Sequence, residues 1–199
     1  MGQYFRSLKF NLGGLVRFTG RESSKMFWLY AGTVIGLVFA AMFAVMIPNL
    51  VQTMIKMQAY AAKHPEDATI DQGPGHYEIT IRGNHPELMP DMGAMVSSFS
   101  VVVLLAVALL AAAVARRLHD SGKSALWGLL PLPFLTFGFV MMPKIFRDFT
   151  SSGQPDFALF GMIFLNNLIY LICLVVLVIL LTQKGTLGSN KFGDERDVL

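Results

Sequence analysis

The sequence predicts an all-α fold: a polytopic membrane protein of four transmembrane helices with both termini in the cytoplasm. Three observations predict it. Four apolar runs, at about 27–47, 96–115, 125–142 and 157–181, contain no Asp, Glu, Lys, Arg or His. Apolar residues make up 54% of the 199 and charged residues 15%, where soluble domains carry about 25% charged. The Lys and Arg residues gather beside alternate ends of the runs, the pattern that orients spans with their basic flanks inside.

The elements follow in order. In the cytoplasmic N-terminal arm, 1–25, Phe5, Leu8, Leu12 and Leu15 fall at helical spacing among Arg6, Lys9 and Arg17. That pattern suits an interfacial helix on an anionic leaflet, interrupted by Gly13-Gly14. Thr19-Gly20-Arg21-Glu22 matches a capping box just ahead of the first span. This span exceeds the roughly 7–15 apolar residues of a signal-peptide core, and no small-residue cleavage site follows, so it reads as an anchor. The outer loop, 48–95, is expected to open with a helical extension over 51–62. It is also expected to hold a short strand over 77–82, where Tyr77, Ile79 and Ile81 alternate with Glu78, Thr80 and Arg82. Crossing a hydrocarbon core takes roughly 20 apolar residues, which the second and fourth spans supply without interruption. The third contains Pro131 and Pro133, and a kink is expected there. A cytoplasmic tail, 183–199, closes the transmembrane domain of 26–182.

Orientation follows from the connections. Arg6, Lys9, Arg17, Arg21 and Lys25 precede the first span against the single acid Glu22, and Arg116, Arg117 and Lys123 fill the short second connection. The long first connection carries Lys56, Lys63 and Arg82 with Glu66, Asp67, Asp71, Glu78, Glu87 and Asp91, so it belongs outside.

Arg116-Arg117-Leu118-His119-Asp120 is the most suggestive chemistry. Asp120 follows Arg117 by three residues and Arg116 by four, so on a continuing helix it pairs with either. Together with Arg21 these arginines offer donors to a lipid headgroup or another anion, beside His119 and Asp120. Backbone amides around Gly185, Thr186 and Asn190 are placed to help cradle a phosphate. The competing reading is positive-inside anchoring, closed by the turn signal Asp120-Ser121-Gly122. Asn166 and Asn167 fall near the middle of the fourth span. They read as interhelical glue or, alternatively, as an intramembrane polar contact for a substrate. His64, His76 and His85, with Glu66, Asp67, Asp71 and Glu87 nearby, are candidates for an outer metal site, but their spacing matches no standard motif and solvated loop residues are the better reading. Trp28 and Trp127 suit an aromatic belt, and Cys173 a packing position.

Three motifs share the inner side. Gly20-Arg21 precedes Lys25-Met26-Phe27-Trp28. Arg116-Arg117-Leu118-His119-Asp120-Ser121-Gly122 precedes Ser124 and Trp127. Lys184-Gly185-Thr186-Leu187-Gly188-Ser189-Asn190-Lys191-Phe192-Gly193 follows the fourth span. In this order the chain resembles the bacterial inner-membrane proteins grouped as domain of unknown function 805. The tail departs from the family pattern, with Lys184 and Asp194-Glu195-Arg196-Asp197 where prolines are usual. The resemblance implies a small multi-spanning protein of the bacterial inner membrane and no established activity.

A formal charge of +3 in patches beside apolar runs excludes a nucleic-acid surface. No nucleotide, hydrolase or zinc motif is present, and no cofactor is expected. Three functions remain. The first is a non-enzymatic protein binding lipid headgroups or a membrane partner at its cytoplasmic face. The second is a small transporter or channel subunit working as a homo-oligomer, with little beyond Asn166 and Asn167 to line a path. The third is a lipid-modifying enzyme using His119 and Asp120, which lacks a recognisable nucleophile or metal cluster. The expected partners are membrane lipids and a second copy or another membrane protein.

Overall fold

The computed structural model describes residues 2–83, 85–151 and 156–194, with the backbone alone at 149–151. The elements are α1 (Gly2–Leu12), α2 (Ser24–Lys63), β1 (Ala68–Gly73), β2 (His76–Ile81), α3 (Met92–Asp120), α4 (Leu132–Ser151) and α5 (Phe157–Thr182), with 3₁₀ turns at Pro86–Leu88 and Ala125–Leu129. Among the described residues, four helical segments are long and apolar enough to cross a membrane: α2, α3, α4 with the turn before it, and α5. Their outward faces carry exposed Leu37, Phe39, Leu104, Phe164 and Leu171, the side chains that hydrocarbon, unlike water, accepts without penalty.

α2 is longer than any single span requires. Its 40 residues measure about 60 Å at 1.5 Å per residue, about twice a hydrocarbon core. The expected extension over 51–62 is therefore continuous with the first span, through Pro48. Pro48 returns no N–H to the Ala44 carbonyl, and beside it Asn49 Nδ2 donates to the Val45 carbonyl at 2.8 Å. The expected strand appears as β2, paired antiparallel with β1, a strand that the sequence pattern does not announce. Pro74-Gly75 makes the turn between them, with Gly75 at φ +77°.

Two further expectations are corrected. Thr19–Glu22 is not a capping box: Ser23 is the N-cap of α2, without a side-chain bond, and Glu22 is drawn elsewhere. Around Pro131 and Pro133 the helix is broken, not kinked. A 3₁₀ turn, opened by Ser124 Oγ accepting from the Leu126 N–H at 3.3 Å, leads into α4, whose first bond runs from the Leu135 N–H to the Pro131 carbonyl.

In the bundle α2 lies along α3, and α4 pairs with α5 while also touching α3. Phe27, Tyr30, Ala31 and Val34 of α2 meet Ala113 and Leu118 of α3 and Leu177 and Leu181 of α5 in the buried core. The Tyr30 hydroxyl donates to the Leu109 carbonyl at 3.0 Å, which lets a phenol sit inside an apolar cluster. Asp91 and Asp156 cap α3 and α5, accepting from backbone N–H groups at 2.9–3.0 Å.

Candidate functional site

At one end of the bundle both described ends of the chain gather around the C-terminus of α3. That terminus closes as a Schellman motif: the Lys123 N–H donates to the Leu118 carbonyl and the Gly122 N–H to the His119 carbonyl, with Gly122 at φ +73°. The sequence Arg116–Asp120 is thereby fixed in helical register, and its side chains fan out into three segments.

Arg116 turns to the N-terminal arm. Its Nε donates to Glu22 Oε2 at 3.1 Å, its Nη1 to the Gly14 and Arg17 carbonyls at 2.9 and 2.6 Å, and its Nη2 to Asn11 Oδ1 at 2.6 Å. Asn11 Nδ2 donates in turn to Glu22 Oε1 at 2.7 Å. Arg116 and Glu22 are 0% and 1% exposed, so this is an ion pair wholly removed from solvent.

Arg117 turns to α5. It donates to the Leu181 carbonyl at 2.9 Å and to the Gln183 carbonyl, covering carbonyls at a helix end that have no partner within the helix. Its Nη1 reaches Asp120 Oδ2 at 2.5 Å. Asp120 pairs with Arg117, not Arg116, and also accepts from Arg21 Nε at 3.1 Å. Arg21 then holds the tail, donating to the Gly188 and Thr186 carbonyls at 2.6 and 2.5 Å.

The tail returns these contacts. The Thr186 N–H donates to the Asp120 carbonyl at 2.9 Å, and Asn190 Nδ2 donates to the His119 carbonyl at 3.0 Å. The His119 ring is stacked on Phe192, 3.9 Å between centroids and 9° between planes, with Nδ1 3.3 Å from the Gly20 carbonyl. Gly185 lies so close to Asp120 that an added Cβ would be 2.9 Å from its carboxyl carbon.

Three guanidiniums and two carboxylates thus share one buried clasp, and the surplus cation is offset by six backbone carbonyls. Burying charge is tolerable only with such complete pairing. Among the described residues no buried side-chain nitrogen or oxygen lacks a partner. Arg21, Arg116, Arg117, His119, Asp120, Gly185, Thr186 and Asn190 are brought together, and the arginines' donors are directed inward to the chain's own oxygens. His119 and Asp120 are both buried, packed against the tail.

A cavity of about 470 Å³ lies between α2, α3, α4 and α5. Phe18 of the arm and Ala125 and Leu126 of the 3₁₀ turn line it, with Val38, Val107, Ala111 and Leu174 deeper in. A second hollow of about 200 Å³ shares Leu135 and Tyr170 with it and is lined by Asn167. Asn166 does not reach the cavities' lining. Its Nδ2 donates to the Phe134 carbonyl at 3.0 Å and ties α5 to α4, a bond worth about 0.6–2 kcal/mol in a membrane. Asn167 bonds within its own helix, to the Ile163 carbonyl at 3.0 Å.

The match to a protein-family model spans residues 15–194, described as a protein of unknown function (DUF805). The chain belongs to the DUF805 family. No curated protein and no solved structure matches it. The DUF805 match takes in the arm from Leu15, the four apolar helices, the hairpin and the tail loop, and so includes most of the clasp.

Some clasp residues of this DUF805 chain escape a reading by motif. Ser7 and Asn11 are buried on α1, Ser7 Oγ donating to the Met26 carbonyl at 2.6 Å. A signal exists for them: two small polar residues four apart share one helix face while Phe5 and Leu12 occupy another. Glu22 is visible in the sequence only as a helix cap, and Phe192 gives no signal beyond its motif. Glu195, Arg196 and Asp197 of the tail lie outside the described residues.

Proposed function

We propose that this is a non-enzymatic lipid-binding protein of the bacterial inner membrane, with both termini cytoplasmic. It holds a phospholipid with an acyl chain in the groove between α2, α3, α4 and α5 and the headgroup at the clasp end. One observation carries this reading: the cavity of about 470 Å³ is walled almost entirely by apolar side chains on helices long enough to cross a membrane. Ligand pockets generally span about 300–1,000 Å³, and in hydrocarbon surroundings the molecule at hand to fill such a space is a lipid tail.

At the groove's rim, Arg17 precedes Phe18 and Lys123 lies two residues before Ala125. Arg17 is exposed, with its guanidinium 4.9 Å from the centroid of the Phe10 ring. These cations suit an anionic headgroup. The clasp residues Arg21, Arg116, Arg117, His119, Asp120, Gly185, Thr186 and Asn190 form the floor that holds arm, α3 and tail in place beneath it. The positive-inside balance of the connections supports the orientation.

Native mass spectrometry of the full chain, extracted in mild detergent, tests the reading. The unaltered protein is expected to retain one phospholipid, and Ala111→Phe, which fills the groove, is expected to lose it while circular dichroism stays unchanged. Equal retention by the two proteins would end the acyl-groove assignment. A particle that carries no lipid and is oligomeric would move the function toward a pore.

A further inference from the structure

The opposite end of the molecule holds a group of polar side chains that the groove does not use. α2 ends at Lys63, and His64 is its C-cap, with its N–H on the Tyr60 carbonyl at 2.9 Å. The chain then turns sharply. The Asp67 N–H donates to the His64 carbonyl at 3.1 Å, and the Arg82 N–H donates to the Asp67 carbonyl at 2.8 Å. Residues 64–67 are therefore held from the helix on one side and from the hairpin on the other.

One ligand atom from each of His64, Glu66 and Asp67 lies within 4.8 Å of the other two. His64 Nδ1 and Glu66 Oε1 are 3.4 Å apart. That spacing is roughly the ligand–ligand edge of a tetrahedral site with bonds of about 2.1 Å, the length zinc takes to nitrogen and carboxylate oxygen. The His64 ring also stacks on Tyr60 at 4.5 Å and 29°, and Tyr60 in turn packs against His85, with the phenol oxygen 3.2 Å from His85 Nε2. His85 is itself tied to Glu87 at 3.0 Å. An imidazole positioned by neighbouring rings loses little further freedom when it takes up a ligand.

We propose that His64, Glu66 and Asp67 bind one divalent transition-metal ion of the zinc class, with water completing its coordination. The donor set argues the class: one imidazole nitrogen with two carboxylate oxygens suits a borderline ion. Calcium and magnesium favour all-oxygen shells, and copper(I) favours sulfur. The ligands are largely exposed, with side-chain exposures of 45% for His64 and 65% for Glu66, which fits an ion that exchanges with the surroundings. Bound there, the ion would fasten the end of α2 to the start of β1.

The full chain in detergent, free of any histidine tag, is titrated with Zn²⁺ by calorimetry and with Co²⁺ by visible absorption. One saturable equivalent per chain is expected. His64→Phe keeps a ring on Tyr60 but removes the nitrogen, and it is expected to weaken binding by about tenfold or more. Glu66→Gln, which leaves every described backbone contact in place, is expected to do the same. His76 lies 3.8 Å from Asp71 and 3.5 Å from Glu78, and His76→Ala is expected to change nothing. Absence of a saturable equivalent, unaltered binding in both His64→Phe and Glu66→Gln, or loss in His76→Ala alone would overturn the site.

Discussion

The two ends of this bundle carry charge in opposite ways. At the clasp, Arg21, Glu22, Arg116 and Arg117 are nearly fully buried and bond to residues up to 167 positions away. At the hairpin end, Glu66, His76 and Glu78 are exposed and His64 is half-buried, and they pair mostly within two residues in sequence. The first arrangement joins segments and holds the fold, because each buried charge depends on a distant partner. The second leaves its charges replaceable, and therefore available to a ligand. Counting charges does not distinguish the two ends; what distinguishes them is where the partners come from.

The largest expected effect tests that contrast directly. Arg116→Gln removes the guanidinium bonded to Glu22 and its donors to the Gly14 and Arg17 carbonyls. Removing one partner of a buried pair costs about 3–5 kcal/mol. Glu78→Gln at the hairpin removes an exposed pair and should change stability by no more than about 0.5 kcal/mol. Denaturant unfolding in micelles, followed by the fluorescence of Trp28 and Trp127, measures both. Equal losses would mean that the clasp holds nothing the hairpin does not.

A smaller effect sharpens the picture of the clasp. Gly185→Ala puts a methyl group against the Asp120 carboxylate. That carboxylate cannot swing aside, because Arg21 and Arg117 hold one oxygen each. Overpacking of this kind costs about 1–3 kcal/mol. Faster hydrogen exchange at the Thr186 N–H, which bonds the Asp120 carbonyl, should accompany the lower stability. An unchanged exchange rate would show that the tail does not rest on α3.

What is legible in the sequence follows the same division. The four apolar helices are readable because a charge-free run of that length has few uses besides crossing a membrane, and Gly122 announces the turn after α3. The clasp's motifs are readable as basic, but not as buried. Most acceptors of the three arginines are main-chain carbonyls, at Gly14, Arg17, Leu181, Gln183, Thr186 and Gly188, and no side-chain pattern marks them. Glu22 looks like a cap because capping is local, while its partner Arg116 lies 94 positions away. Pro131 and Pro133 are legible as proline strain, but they read as a kink. That the strain breaks the helix, with a 3₁₀ turn before α4, is not legible. β1 lacks clean alternation and exists through its pairing with β2, whereas the Pro74-Gly75 turn that joins them is plain.

The smallest expected effect lies at the hairpin end and concerns pH. The Glu87 carboxylate, hydrogen-bonded to the His85 ring, holds its pKa above the ordinary histidine value, against a lesser opposing effect of partial desolvation. A group whose folded pKa is raised lends stability that is fully present below its unfolded pKa, near 6.5. That stability is lost as pH rises through the folded value. His85 also braces Tyr60 under the His64 ring, so the loss should be local, loosening the turn at 64–67 while leaving the clasp untouched. Imidazole signals followed by NMR should show His85 titrating above the ordinary histidine value, and Glu87→Gln should bring it down toward that value. Protection of the Asp67 N–H, taken relative to its base-catalysed intrinsic exchange rate, should fall over the same pH interval, while protection of the Thr186 N–H stays unchanged. Parallel changes at both amides would mean that the two ends are coupled through α2, and that the local pairing at the hairpin is less independent than its short sequence separations imply.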